Sequence, residues 1–139
     1  DISIAGCRLL LVEDNALNAE IAQILLTDEG ATVTVVTDGK QAVEIVQNNP
    51  PDTFDAVLMD VMMPVMNGID AAKTIRSLNR PDAKTLPIIA MTANAFYEDA
   101  QKCLAAGMNA HLAKPLQIKE VKQTIAEWVK NNRTAKKDA

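Results

Sequence analysis

A few residues of this 139-residue chain have the types and spacing to do chemistry together. They are the acid pair Glu13-Asp14 in "RLLLVEDN", Asp60 in "DAVLMDVMMPVMNG", Thr92 in "PIIAMTANA" and Lys114 in "NAHLAKP"; Thr37-Asp38 closes a similar run in "ATVTVVTDG". Each follows a short apolar segment. Taken singly, each has an ordinary explanation. Asp14 and Asp38 suit helix N-caps, Asp60 could begin a turn toward Pro64, Thr92 could cap a helix, and Lys114 could be a snorkelling surface lysine. Their recurrence at equivalent places along the chain favours a shared site.

Glu13, Asp14 and Asp60, once crowded, repel one another. A hard divalent cation relieves that repulsion, and Mg²⁺ characteristically takes one or two carboxylates together with waters and a phosphate. With the cation in place, the Asp60 carboxylate can act as a nucleophile toward phosphorus and form an aspartyl phosphate. Lys114 would be a point charge on the phosphoryl oxygens, and the Thr92 hydroxyl a hydrogen-bond donor to one of them. Positioning and charge neutralisation are most of what phosphoryl transfer demands.

These residues need a scaffold that brings strand ends together. "RLLLVED" reads as a buried strand. In "NALNAEIAQILLTDEG", Leu17, Ile21, Ile24, Leu25 and Asp28 fall at helical spacing, with Gly30 as a stop. "ATVTVVTDG" is a β-branched strand, "KQAVEIVQNN" a helix with Ala42, Ile45 and Val46 on one face, and Pro50-Pro51 its end. "DAVLMD" and "GIDAAKTIRSL" form the third pair, and "NRPDAKTL" reads as a polar surface loop. "PIIAMT" and "AFYEDAQKCLAAG" follow, then "NAHLAKP" and a last helix with Ile118, Val121, Ile125 and Trp128 along its stripe. Five strand–helix repeats imply right-handed crossovers and an α/β fold with a parallel sheet covered on both faces. In such sheets ligands bind beyond the carboxyl ends of the strands, where the candidates lie.

The totals agree with one globular domain. The expected division is a linker at 1–7, the domain at 8–130 and a solvated tail at 131–139. A net charge of −4 argues against nucleic-acid binding. No apolar run has membrane-span length and no leader pattern opens the chain. Because the sequence starts at Asp1, a fragment of a longer protein is expected. Cys7 and Cys103 lack metal-ligand spacing, and with His111 the sole histidine, a zinc site or Cys–His pair is not expected. A reducing compartment, the cytoplasm, suits two small buried or semi-buried thiols.

Four motifs in order, "VEDN", "MDVMMPVMNG", "MTANA" and "AKP", resemble the receiver domain of two-component response regulators over roughly Arg8 to Lys130. "MTANA" with "GMNAHLAKP" is most similar to receivers fused to hybrid sensor histidine kinases. The resemblance implies a flavodoxin-like (βα)5 three-layer sandwich with strand order 2-1-3-4-5. It implies Asp60 as phosphoacceptor, Asp14 and Asp60 as side-chain Mg²⁺ ligands, Met62 as a backbone-carbonyl ligand and Glu13 as holder of a metal-bound water. Thr92 and Lys114 match the switch hydroxyl and the phosphate-pairing lysine, and Pro64 and Gly68 the acceptor loop. Met62 and Asn94 match positions that tune phosphoryl lifetime. His111 stands where many receivers carry a Tyr or Phe switch, a departure that leaves phosphorylation itself untouched.

The partners so implied are a histidine kinase or a histidine phosphotransfer domain, met through exposed parts of helices one, four and five, with Ala95, Phe96 and Tyr97 at the entrance to helix four. A parent chain anchored in a membrane is compatible, although this domain itself would contact neither membrane nor nucleic acid. The rival is a Mg²⁺-dependent phosphatase of haloacid dehalogenase type, yet Met62 occupies the place of that family's second acid. A flavin site needs a phosphate-cradling first loop, and acidic "EDNAL" would repel one. A dinucleotide site lacks its glycine motif.

Overall fold

A computed structural model describes residues 2–93 and 97–138. Strands β1 (Arg8–Val12), β2 (Thr32–Val36), β3 (Ala56–Asp60), β4 (Ile88–Thr92) and β5 (Ala110–Ala113) alternate with helices α1 (Ala16–Asp28), α2 (Gly39–Gln47), α3 (Gly68–Arg76), α4 (Tyr97–Ala105) and α5 (Ile118–Asp138). The strands form one parallel sheet in the order β2-β1-β3-β4-β5. This is the architecture and order expected. The order reverses between β1 and β3, so the carboxyl ends of these two neighbours flank the crevice where doubly wound sheets bind ligands.

Side-chain alternation divides the core into two layers. Leu9, Leu11, Leu58, Ile89 and Met91 face α1 and α5, joined by Val121, Ile125 and Val129 of the last helix. Leu10, Val12, Val57, Met59, Ile88 and Ala90 face the opposite layer of α2, α3 and α4. β3 and β4 are buried at every position, which explains their near-continuous apolar runs.

Helix α1 departs from the simple amphipathic pattern. Its buried residues are Ala19, Ala22 and Leu26. Leu17, Ile21 and Ile24 are 64%, 50% and 55% exposed. The helix is apolar around much of its circumference. Ala19, Ala22 and Leu26 form its face against the core, while Leu17, Ile21 and Ile24 turn outward.

The segment 79–86 also differs from the surface loop expected. Asp82, Ala83 and Leu86 are buried, because Arg80 donates to the Val46 and Asn49 carbonyls and pairs with Asp82. Upstream of β1, Ile4 is fully buried and Gly6 donates to the Gly30 carbonyl at 2.9 Å. At the other end, helical backbone continues to Asp138.

Candidate functional site

β1 ends in Val12 and delivers Glu13 and Asp14; β3 ends in Asp60, β4 in Thr92, and Lys114 follows β5. Parallel register places all of them at one rim of the sheet. One carboxylate oxygen from each of Glu13, Asp14 and Asp60 lies within 4.8 Å of the other two. Glu13 and Asp60 are buried, at 3% and 6% exposure, while Asp14 is exposed. Lys114 Nζ reaches both buried acids, donating to Glu13 Oε1 at 2.8 Å and to Asp60 Oδ2 at 3.0 Å. Burial by itself lowers the Lys114 pKa. The hydrogen bonds and charges of Glu13 and Asp60 outweigh burial, and the net direction is upward.

Local structure frees these groups for the site. Asn15, not Asp14, caps α1, its side chain accepting from Asn18 N at 2.9 Å. Glu13 Oε2 accepts from Asn15 N at 3.2 Å, so Glu13 bridges the start of α1 and Lys114. Asp38 takes the ordinary role: it caps α2 by accepting from Gln41 N at 2.8 Å. Thr92 is buried at the end of β4, where its carbonyl accepts from Lys114 N at 2.9 Å.

The loop after β3 folds back on the strand that leads into it. Met62 N donates to Asp60 Oδ1 at 3.3 Å, and Gly68 N to the Val61 carbonyl at 3.0 Å. A Cβ at Gly68 would lie 2.2 Å from the Asp60 carbonyl oxygen, so only glycine permits this closure. Between them Met66 N donates to the Pro64 carbonyl at 2.7 Å around Val65, whose φ is 67°. A β-branched residue in the left-handed region is strained by about 1–3 kcal/mol. Met62 and Val65 are 80% and 79% exposed. Met62 therefore stands at the edge of the site with its side chain largely in solvent.

His111 is exposed on β5. Asn94, Ala95 and Phe96 lie outside the described residues, as does the side chain of Tyr97. Sequence reasoning placed Glu13, Asp14, Asp60, Thr92 and Lys114 at one rim, and the fold brings them there. It missed the Glu13–Lys114 pair and the contact of Gly39 with the acceptor loop, since neither partner signals the other along the chain.

Three carboxylates and one ammonium leave two negative charges in excess. Clustered hard oxygen donors of this kind fit a divalent cation such as Mg²⁺. No second carboxylate stands two residues beyond Asp60, where Met62 lies.

Comparison with known proteins now fits this geometry. The family model "Response regulator receiver domain" matches residues 9–126. "Sensor protein GacS" of Pseudomonas syringae pv. syringae is 39% identical over 128 residues, which is 91% of this chain and 14% of that protein. The receiver domain of sensor histidine kinase PA1611 from Pseudomonas aeruginosa PAO1 is 41% identical with a TM-score of 0.80, covering 90% of this chain and 98% of that one. It carries a magnesium ion coordinated in its active site cleft. A co-crystal structure of the Saccharomyces cerevisiae phosphotransfer protein Ypd1 with the receiver domain of Ssk1 matches at 28% identity and a TM-score of 0.77, covering 89% of both chains. The chain belongs to the response regulator receiver family of two-component systems. It spans 15% or less of the length of the curated relatives it matches. Nothing in the fold or these matches supports the haloacid dehalogenase alternative. Among the described residues no helix is long and apolar enough to cross a membrane.

Proposed function

We propose that Asp60 takes a phosphoryl group from a phosphohistidine, and that this either shifts the populations of the α4–β5–α5 face or passes the group onward to a histidine phosphotransfer domain. The observation that carries this reading is the meeting of Glu13, Asp14 and Asp60 within 4.8 Å beside Lys114. Asp14 and Asp60 would hold Mg²⁺ through their side chains, Met62 through its backbone carbonyl and Glu13 through a water. When bound, the ion offsets the excess negative charge and draws the oxygens of the incoming phosphoryl group.

In this mechanism an Asp60 carboxylate oxygen bonds to phosphorus as the phosphorus–nitrogen bond of the donor breaks, and the electron pair leaves with the imidazole, which takes up a proton. Lys114 gives up its contact with Asp60 Oδ2 and pairs with a phosphoryl oxygen. The Thr92 hydroxyl donates to another, drawing the end of β4 toward Asp60. Incubation with Mg²⁺ and a small-molecule phosphodonor, followed by mass spectrometry, tests the reading. One added phosphoryl group is expected, absent in Asp60→Ala; no gain in the native chain, or an undiminished gain in Asp60→Ala, would overturn it.

A partner's histidine must come close to Asp60, and the exposed apolar face of α1 borders that approach. A cavity of about 150 Å³ lies between α1 and the segment after β5, lined by Ile21, Ala22 and Leu25 on one side and by Glu13, Lys114 and Pro115 on the other. This face would seat the kinase or phosphotransfer partner. Leu17→Ser with Ile21→Ser should slow transfer from a phosphorylated histidine domain about tenfold and leave the small-phosphodonor rate unchanged. Equal slowing of both reactions would rule that role out. With such partners the domain would work in the cytoplasm as part of a hybrid kinase.

A further inference from the structure

The turn between β2 and α2 is the part of the rim that the acidic site leaves unused. We infer that Gly39 is a positioning residue for the acceptor site: the capped first turn of α2 clamps the loop from Val61 to Asn67, and through it Met62 and Asp60. The function of the clamp rests on the phosphoacceptor reading above, while its existence does not.

Gly39 N donates to the Met66 carbonyl at 3.0 Å. A Cβ at Gly39 would lie 2.4 Å from that oxygen and 3.0 Å from both the Asn67 carbonyl oxygen and Ala71 Cβ. Its backbone is not in the left-handed region. Glycine stands here for want of room, and the nearest crowding atom, the Met66 carbonyl oxygen, is backbone of the acceptor loop, as is the Asn67 carbonyl oxygen, so a side chain would displace the loop itself.

The turn that does the clamping is itself braced. Asp38 Oδ1 accepts from Gln41 N at 2.8 Å, Gln41 Nε2 donates to Thr37 Oγ1 at 2.9 Å, and Thr37 N donates to Gln41 Oε1 at 3.1 Å. The loop needs such an anchor. Val65 is bent at φ 67° and its side chain is mostly in solvent, so packing of that side chain does not hold the bend. Backbone on either side must hold it, and the Gly39–Met66 bond adjoins it directly. Beyond the bend, Met62 N donates to Asp60 Oδ1. A displacement at Met66 can therefore reach the acceptor carboxylate through residues 62–65 and the Met62 N–Asp60 hydrogen bond.

The test compares Gly39→Ala with Gly107→Ala. Gly107 has φ 96°, and a Cβ there would meet Arg76 Cγ at 2.8 Å at the opposite end of the sheet, so this control loses stability without touching the loop. In metal-free protein, hydrogen exchange at the Met62, Met66 and Gly68 amides should quicken about tenfold in Gly39→Ala relative to the control. Calorimetric Mg²⁺ affinity should fall about fivefold or more in Gly39→Ala and stay within about twofold of native in Gly107→Ala. Asp38→Ala, which loosens the turn without a clash, should show both effects more weakly and decides the matter if Gly39→Ala does not fold. Loop exchange and Mg²⁺ affinity matching the control in the folded variants would overturn the clamp. A native chain that takes up no Mg²⁺ would sink the phosphoacceptor reading instead, while loop exchange still decides the clamp.

Discussion

At the amino ends of the strands Arg76 and Arg80 are ringed by carbonyls and one acid, whereas at the carboxyl ends three acids cluster where one lysine pairs with two of them. Arg76 donates to the Gly107 carbonyl at 2.9 Å, the Ala83 carbonyl at 3.2 Å and Asn109 Oδ1 at 2.9 Å. Asn109 Oδ1 also accepts from Ile88 N at 2.8 Å, fastening the start of β4. This end is closed: each nitrogen of both guanidinium groups already donates to an acceptor, and the Arg76 contacts hold α3, β4 and the α4–β5 turn in one frame. The carboxyl end is left short of positive charge. The closed end is tied by side-chain hydrogen bonds that the chemistry does not use.

Substitutions that exchange these properties sharpen the contrast. The largest stability loss is expected from Arg76→Met, which strands the Gly107 and Ala83 carbonyls and removes one of the two donors to Asn109 Oδ1. About 3 kcal/mol should disappear in denaturant unfolding, with Mg²⁺ affinity in the folded fraction unchanged. Lys114→Met at the other end should cost less, about 2 kcal/mol in metal-free protein, because Glu13 and Asp60 are then buried together without a counter-charge. Added Mg²⁺ should restore more stability to this variant than to the native chain. An equal response in both would mean that the lysine and the cation do not answer the same excess charge.

The smallest effect concerns pH at the closed end. Burial raises the Asp82 pKa, but the hydrogen bond from Arg80, with that from the Asp52 amide, overrides burial and holds it below the ordinary value. A lowered carboxyl pKa stabilises above the unfolded value of about 3.9 and loses that contribution as pH falls through the folded value. The stability advantage of native protein over Asp82→Asn should accordingly be flat near neutrality and shrink below about pH 4. A constant difference down to pH 2 would break the assignment.

The open end was far more legible in the sequence than the closed one. Rim residues lie next to strands whose apolar runs announce them, so Glu13, Asp14, Asp60, Thr92 and Lys114 could be aligned by counting elements. Arg80 bonds to carbonyls more than thirty residues away, and nothing in "NRPDAKTL" marks that its Asp82 is buried. Helix α1 shows a different limit. Spacing of large apolar residues identified the helix, but its buried face is made of Ala19, Ala22 and Leu26, and small alanines give little hydrophobic signal beside Leu17, Ile21 and Ile24. Ile4 illustrates a third: one apolar residue before a strand carries no periodic signal, yet it fills the core. The clamp at Gly39 was hidden for a similar reason, since a glycine after an aspartate reads as a turn whether or not another loop presses on it.

Helix α5 runs for 21 residues, and Val129 is the last of its side chains described as buried. The nine residues after it extend the axis by about 13 Å at 1.5 Å per residue. A rod anchored at one end magnifies rotation at its base: each degree of tilt near Val129 swings the tip by about 0.2 Å, as follows from that overhang. A repacking too small to notice inside the domain would thus arrive at Asp138 as a displacement that a partner touching the tip could register.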